Sequence, residues 1–232
     1  MPLLSDSAEP VARLQGAISD ESAQARARDS MVVTQIIARG VRDARTLQAM
    51  RDVPRHLFVP PALLKQSYED HPLPIGHGQT ISQPYIVAFM TEALGLKGGE
   101  TVLEVGAGSG YQSAVLSRIA ARVFGIEIVE PLAREAKGRM VALGYGNVEI
   151  RAGDGYAGWP EHAPFDAILV AAAAPRVPEP LKRQLKDGGR LILPVGEHVQ
   201  ELRIVTRRGE SFEERSVLAV QFVPMTGEIR RK

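Results

Sequence analysis

The string Thr101-Val-Leu-Glu-Val-Gly-Ala-Gly-Ser-Gly110 constrains this chain more than any other stretch. An apolar strand runs directly into three closely spaced glycines, and an apolar helix follows from Tyr111. A strand, a glycine loop and a helix in that order form the opening unit of a parallel α/β sheet. The glycines let backbone approach a ligand, and the following helix offers free N–H groups at its start. The spacing of Gly106, Gly108 and Gly110 is G-x-G-x-G, with Glu104 two residues ahead. The dinucleotide fingerprint is G-x-G-x-x-G, and Tyr111 sits where it requires glycine, which disfavours a nicotinamide dehydrogenase. Glu127 closes the next strand, 21 positions after Gly106. A carboxylate there can accept hydrogen bonds from both hydroxyls of a ribose. After the third strand comes Gly153-Asp154-Gly155, which also reads as an ordinary Asp-Gly turn.

The alternation continues on both sides of the loop. Strands are expected at Val123–Glu127, Asn147–Arg151, Phe165–Val170 and Arg190–Val195. Helices are expected at Tyr111–Ala121, Pro131–Leu143 and Pro178–Leu185, the last closed by Gly188 and Gly189. Strands alternating with helices imply βαβ units and a mainly parallel sheet. The segment from Leu202, turning at Gly209-Glu210-Ser211, reads as a hairpin, which gives the sheet an antiparallel edge. Ahead of the sheet, Met31, Val32, Gln35, Ile36 and Arg39 recur at helical spacing with Gly40 as the C-cap, and a second short helix spans about Asp43 to Arg51. Residues 1–28 lack a sustained apolar stripe and read as a mobile or weakly helical tail, with one domain over 29–232.

Composition excludes several classes. Of 232 residues, 44% are hydrophobic and 24% charged, and 28 basic against 27 acidic side chains leave a net charge of +1. No global field attracts nucleic acid, and the short basic stretches near Arg207 and Arg230 read as solvated surface. There is no cysteine, so thiolate metal sites and disulfides are out. No apolar run approaches the roughly 20 residues that span a bilayer, and MPLLSDSAEP is unlike a signal peptide. A cytoplasmic monomer is the default expectation. His71 and His77 lack the spacing of helical metal ligands, His56 reads as structural, and no metal is expected.

The stretch Gly76-His-Gly-Gln-Thr-Ile-Ser-Gln-Pro84 concentrates small polar side chains just before an apolar helix. Locally, Ser82 reads as the N-cap of that helix and Thr80 as part of a turn. The G-x-G-x-G form with its preceding acid resembles the cofactor loop of S-adenosylmethionine-dependent methyltransferases. GHGQTISQP followed by VLEVGAGSGYQSAVL further resembles the protein-L-isoaspartate O-methyltransferase family. VPRHLFVP, GDGYAGWP, APFDAILV, LKDGGRLILPVG and VQFVP extend the likeness over about residues 30–226.

That resemblance implies a doubly wound, mostly parallel Rossmann-like methyltransferase sheet, its last strands exchanged in order, with an antiparallel edge and extra N-terminal helices. It implies transfer of a methyl group from S-adenosylmethionine to the free α-carboxylate of L-isoaspartyl residues in damaged proteins. Ser82 would be the active-site residue. Gln79, Thr80, Ile81, Ser82, Glu104, Gly106, Gly108, Gly110, Glu127, Asp154, Gly155 and Thr226 would hold the cofactor, with Asp154 beside the adenine. The VQFVP strand would pair with the substrate peptide. Trp159 would either shield the adenine region or pack beside it. A methyltransferase for RNA or a small molecule, and a non-catalytic binding protein on the same fold, are the competing readings. The first lacks a basic face or a stacking motif, and the second is opposed by the intact glycine loop and Glu127.

Overall fold

The computed structural model describes residues 21–231. The expected tail therefore lies largely outside the described residues, and its described part is helical: α1 runs through 21–31. It continues as a π-turn over Val32–Ile36 and a tight 3-10 turn over Ile37–Arg39, stopping at Gly40 with φ +97°. Helix α2 spans Ala44–Asp52 and is capped by the Asp43 carboxylate, which accepts from the Thr46 N–H at 2.8 Å. The proline-rich VPRHLFVPP segment then forms 3-10 turns at Arg55–Phe58 and Pro61–Gln66 rather than regular helix.

Strands β1 (Leu73–Gly76) and β2 (Gln79–Ile81) pair antiparallel as a small sheet of their own. His77 and Gly78 have φ of +52° and +70°, the left-handed pair that a tight hairpin turn needs. Helix α3 follows at Pro84–Leu94. The main sheet then forms from β3 (Thr101–Val105), β4 (Arg122–Glu127), β5 (Val148–Ala152), β6 (Phe165–Val170), β7 (Leu185–Val195), β8 (Gln200–Arg208) and β9 (Ser211–Val220). Its order is β5-β4-β3-β6-β7-β8-β9. The pairs from β5 to β7 are parallel, and β7-β8 and β8-β9 are antiparallel. This is the doubly wound sheet with an antiparallel edge, and β9 is that edge. The strand order reverses beside β3, so the crevice at the C-terminal ends of β3 and β6 is where such a sheet receives a ligand.

Alternate strand residues face opposite sides. Val102, Val123, Ala167 and Ile192 pack in one core with Ile36, Met50, Val87, Met90, Leu116 and Met140. Leu103, Phe124, Ile168 and Leu191 pack in another with Trp159, Leu181 and Ile229. The flanking is unequal. The first face receives α2, α3, α4 (Tyr111–Ser117) and α5 (Glu130–Ala142), and the second only α6 (Glu179–Arg183) with short turns.

Two expected elements differ. Helix α4 stops at Ser117, not Ala121, because the Ala121 and Arg122 N–H groups turn to the Glu100 carbonyl and start β4. Helix α6 ends at Arg183, and Leu185 already belongs to β7. Gly188 and Gly189 do not close a helix. They bulge β7, whose pairing with β6 jumps from Phe165↔Leu185 to Ala167↔Arg190. A side chain at Gly189 would lie 2.9 Å from the Lys186 carbonyl, so the bulge requires glycine.

Candidate active site

A cleft of about 880 Å³ opens at the crevice above β3, within the range of sites that enclose a nucleotide-sized ligand. Its walls come from four places: the β2–α3 segment, the glycine loop, the ends of β4 and β5, and the chain just after β9. The glycine loop is its floor. Gly106, Gly108 and Gly110 have φ of +89°, +54° and +86°, a conformation glycine reaches without strain. Gly106 N–H donates to the Ile126 carbonyl at 2.8 Å, tying the loop to β4. Gly110 is also packed closely, since a Cβ there would meet Met140 Cε at 2.8 Å.

Two carboxylates sit beneath this loop. Glu127 is 4% exposed. Its two oxygens accept the Gly108 N–H at 2.8 Å and the Val129 N–H at 2.9 Å. A carboxylate has about four acceptor positions, so Glu127 fixes the loop and retains capacity toward the cleft. Glu104 is fully buried. Its Oε2 accepts from the Ser113 hydroxyl, while Oε1 has no protein partner. Burial, with the nearby Glu127 charge adding to it, pushes its pKa up to about 8 against the Ser113 hydrogen bond. An unpartnered buried carboxylate oxygen in a cleft wall suits a ligand that carries positive charge.

Gln79, Thr80, Ile81 and Ser82 all line the cleft. The local capping reading of this segment is overturned. Thr80 lies in β2, not in a turn, and Gln83 is the N-cap residue of α3 with no side-chain cap bond. Pro84 opens the helix instead, where its missing N–H costs nothing. Ser82 is thereby left facing the cleft.

Gly155 and Thr226 also line the cleft, but Asp154 is not among its lining residues. Asp154 Oδ1 accepts the Tyr156 N–H at 2.9 Å, and Oδ2 accepts the Glu228 N–H at 2.7 Å. Both oxygens are engaged by backbone. Trp159 lies away from the cleft as well. It is 5% exposed, edge-on to Phe124 at 5.3 Å, with the Arg151 guanidinium 3.9 Å from its ring. Of its two readings, the packing one describes its place. Only Val220 of the VQFVP segment is in β9; the rest continues as extended chain, with the Val223 carbonyl accepting the Ala173 N–H at 2.8 Å.

Sequence reasoning missed several cleft residues. Val87, Met90, Tyr111, Gln112, Ala171 and Met225 line it. Helical spacing marked most of them only as apolar core, and tertiary packing alone turns them toward a ligand. A second depression adjoins the cleft and shares Thr80, Ser82, Ala171 and Val223 with it. This groove is more open and is otherwise lined by Arg39, Gln83, Ile86 and the end of β9.

His56 bonds Tyr68 Oη through Nδ1 at 2.7 Å, as a structural histidine would, and His71 pairs with Glu69 at 2.8 Å on the surface. Among the described residues, no group of three or more histidine and acidic side chains is placed to hold a metal ion. No helix among them is long and apolar enough to cross a membrane.

Comparison with known proteins gives a consistent answer. The profile of the Protein-L-isoaspartate(D-aspartate) O-methyltransferase (PCMT) family matches residues 27–230. Protein-L-isoaspartate O-methyltransferase 2 of Shewanella sediminis is 56% identical over 210 residues, covering 90% of this chain and 86% of the relative. The Methylorubrum extorquens protein-L-isoaspartate O-methyltransferase is 58% identical, covering 87% and 89%. A solved protein-L-isoaspartate O-methyltransferase superposes with a TM-score of 0.81 at 32% identity, covering 87% of this chain and 67% of the other. A Plasmodium falciparum structure described as a complex with S-adenosyl-L-homocysteine superposes with a TM-score of 0.74 at 26% identity, covering 86% and 98%. The chain thus belongs to the protein-L-isoaspartate(D-aspartate) O-methyltransferase family.

Proposed function

We propose that the cleft holds S-adenosylmethionine and that Ser82, at the seam between cleft and groove, orients the acceptor carboxylate. The activity is that of the family: an S-adenosylmethionine-dependent protein carboxyl O-methyltransferase acting on the α-carboxylate of L-isoaspartyl residues. The observation that carries the residue assignment is the seam itself. Thr80 and Ser82 line both depressions, so they touch whatever lies in each.

The residues fit the cofactor. The glycine loop gives close backbone approach, Glu127 has acceptor capacity for ribose hydroxyls, and the unpartnered Glu104 oxygen is available to a cationic group. When bound, S-adenosylmethionine supplies an electrophilic methyl group on a sulfonium sulfur. The acceptor needs little activation. An α-carboxyl group has a pKa of about 3.5 and is already ionised at neutral pH, so no strong general base is required. What this chain contributes is positioning. The Ser82 hydroxyl donates to one carboxylate oxygen and leaves the other to react. Ser82 is not itself a nucleophile, because no histidine lines the cleft or the groove to activate it. The extended segment from Val220 to Val223 pairs with the substrate backbone along the groove. The product ester closes to a succinimide, and its hydrolysis returns part of the damaged chain to normal aspartate, which makes the reaction the first step of repair. The balanced charge supports a cytoplasmic monomer acting on isoaspartyl proteins, with no nucleic-acid partner.

The test is transfer of a labelled methyl group to matched isoaspartyl and aspartyl peptides. Base-labile label on the isoaspartyl peptide alone is the expected result. Ser82→Ala should lower kcat/KM by roughly a hundredfold, the scale of one transition-state donor, with cofactor affinity retained. Full activity in Ser82→Ala would remove Ser82 from the mechanism.

A further inference from the structure

We propose that Asp154 is a positioning residue, whose carboxylate latches the C-terminal segment 221–230 across the cofactor cleft. The inference rests on the reading of that cleft as the cofactor site, and it gives Asp154 a role other than the adenine contact expected from sequence.

Segment 221–230 leaves β9 and crosses the mouth of the cleft. Val223, Pro224, Met225 and Thr226 form part of the cleft wall. The segment is anchored firmly at its start. The Gln200 side chain brackets Phe222, accepting its N–H at 2.6 Å and donating to its carbonyl at 3.2 Å. In the middle, Ala173 exchanges two backbone hydrogen bonds with it, to Val223 at 2.8 Å and from Met225 at 2.7 Å. Past Met225 the chain has left the sheet, and Thr226 lies beyond the last of these anchors.

The far end is held from the opposite lip. Gly155 lines the cleft from the β5 side, and Asp154 immediately precedes it. Asp154 Oδ2 accepts the Glu228 N–H at 2.7 Å across 74 residues of sequence. Gly227 is shaped for this contact. Its φ is +90°, and a Cβ there would lie 2.3 Å from Asp154 Oδ2. Ile229, 1% exposed, is buried behind the latch. Arg230 braces the same turn, donating to the Met225 carbonyl and to Glu197, each at 2.9 Å. The Asp154–Glu228 bond therefore joins two walls of one cleft into a closed ring. A hydrogen bond to a carboxylate is among the stronger ones, and breaking this one lets the Thr226 wall swing without disturbing the sheet. The consequence is kinetic: the latch governs how fast a ligand leaves.

The experiment measures binding and dissociation of S-adenosylhomocysteine for the full chain, Asp154→Asn, Glu228→Pro and the double variant. Glu228→Pro removes the donor from the strap side alone, at the first position of a 3-10 turn (Glu228–Arg230), where proline is tolerated. Each single variant should speed dissociation roughly tenfold, the scale of one lost charge-assisted hydrogen bond. The double variant should be no faster than either single. Hydrogen exchange should rise in 221–230 for both variants. Asp154→Asn should have the same effect on S-inosylhomocysteine, which lacks the 6-amino group. Multiplied effects in the double variant, or an Asp154→Asn effect that vanishes with the inosine analogue, would show direct adenine contact and overturn the latch. An unchanged dissociation rate in either single variant would overturn it too. Failure of the unaltered chain to bind S-adenosylhomocysteine would instead sink the reading of the cleft.

Discussion

Glu104 makes the stability of this protein fall as pH rises, in a window fixed by its burial. The carboxyl is fully buried, its pKa moves from an ordinary 4.5 to about 8, and one of its oxygens has no protein partner. The folded state therefore keeps the proton that the unfolded chain loses above pH 4.5. With fewer protons on the unfolded state, stability is full below about pH 4.5, declines through neutrality, and levels off above pH 8. At 1.36 kcal/mol per pH unit, the rise from 4.5 to about 8 bounds the effect at about 5 kcal/mol. Glu104 lines a cleft that water reaches, so on the order of 2 kcal/mol is the expected size. Glu104→Gln keeps the shape and an acceptor for the Ser113 hydroxyl but removes the titration. Urea unfolding of both proteins at pH 5.5, 7 and 8.5 is the assay. The variant should gain on the unaltered chain steadily with pH and be the more stable one at pH 8.5. A stability difference that stays constant across that range would refute the argument, because no proton would then be linked to folding at this position.

Two further outcomes follow from the same geometry. Glu127→Ala removes the acceptor for two backbone N–H groups and for the ribose. Affinity for S-adenosylhomocysteine by calorimetry should fall roughly tenfold to a hundredfold, and unchanged affinity would take Glu127 out of the site. Trp159→Ala should cost about 3–5 kcal/mol of stability through the cavity left beside Phe124. Its cofactor affinity should change less than about twofold; a larger loss would return Trp159 to the adenine region.

The sheet was legible because local chemistry and tertiary structure agree along it. The strand Thr101–Val105, the three positive-φ glycines and the buried acid at Glu127 are all local signals, and each stands where its pattern requires. The same holds for Gly40, Asp43 and Pro84, whose backbone preferences end or begin helices whatever they pack against. Reading failed where a local signal has two physical solutions. Gly188-Gly189 can end a helix or bulge a strand, and only pairing with β6 decides. Ser82 can cap a helix or face a ligand, and Pro84 and the β1–β2 hairpin decide. The family resemblance carried the activity and the seam residues, which no periodicity contained.

Tertiary structure alone determined the rest. It brought the β2–α3 segment, the loop after β5 and the C-terminal segment to one cleft, across separations that no local spacing encodes. It set Asp154 against Glu228 rather than toward the cleft, and buried Trp159 in the opposite core. It left one Glu104 oxygen without a partner, which the pattern of a strand ending in a glycine loop could not reveal. Sequence fixes backbone preference and side-chain type residue by residue. Which buried group meets which neighbour depends on the packing of distant segments, and that packing decides the electrostatics of the site.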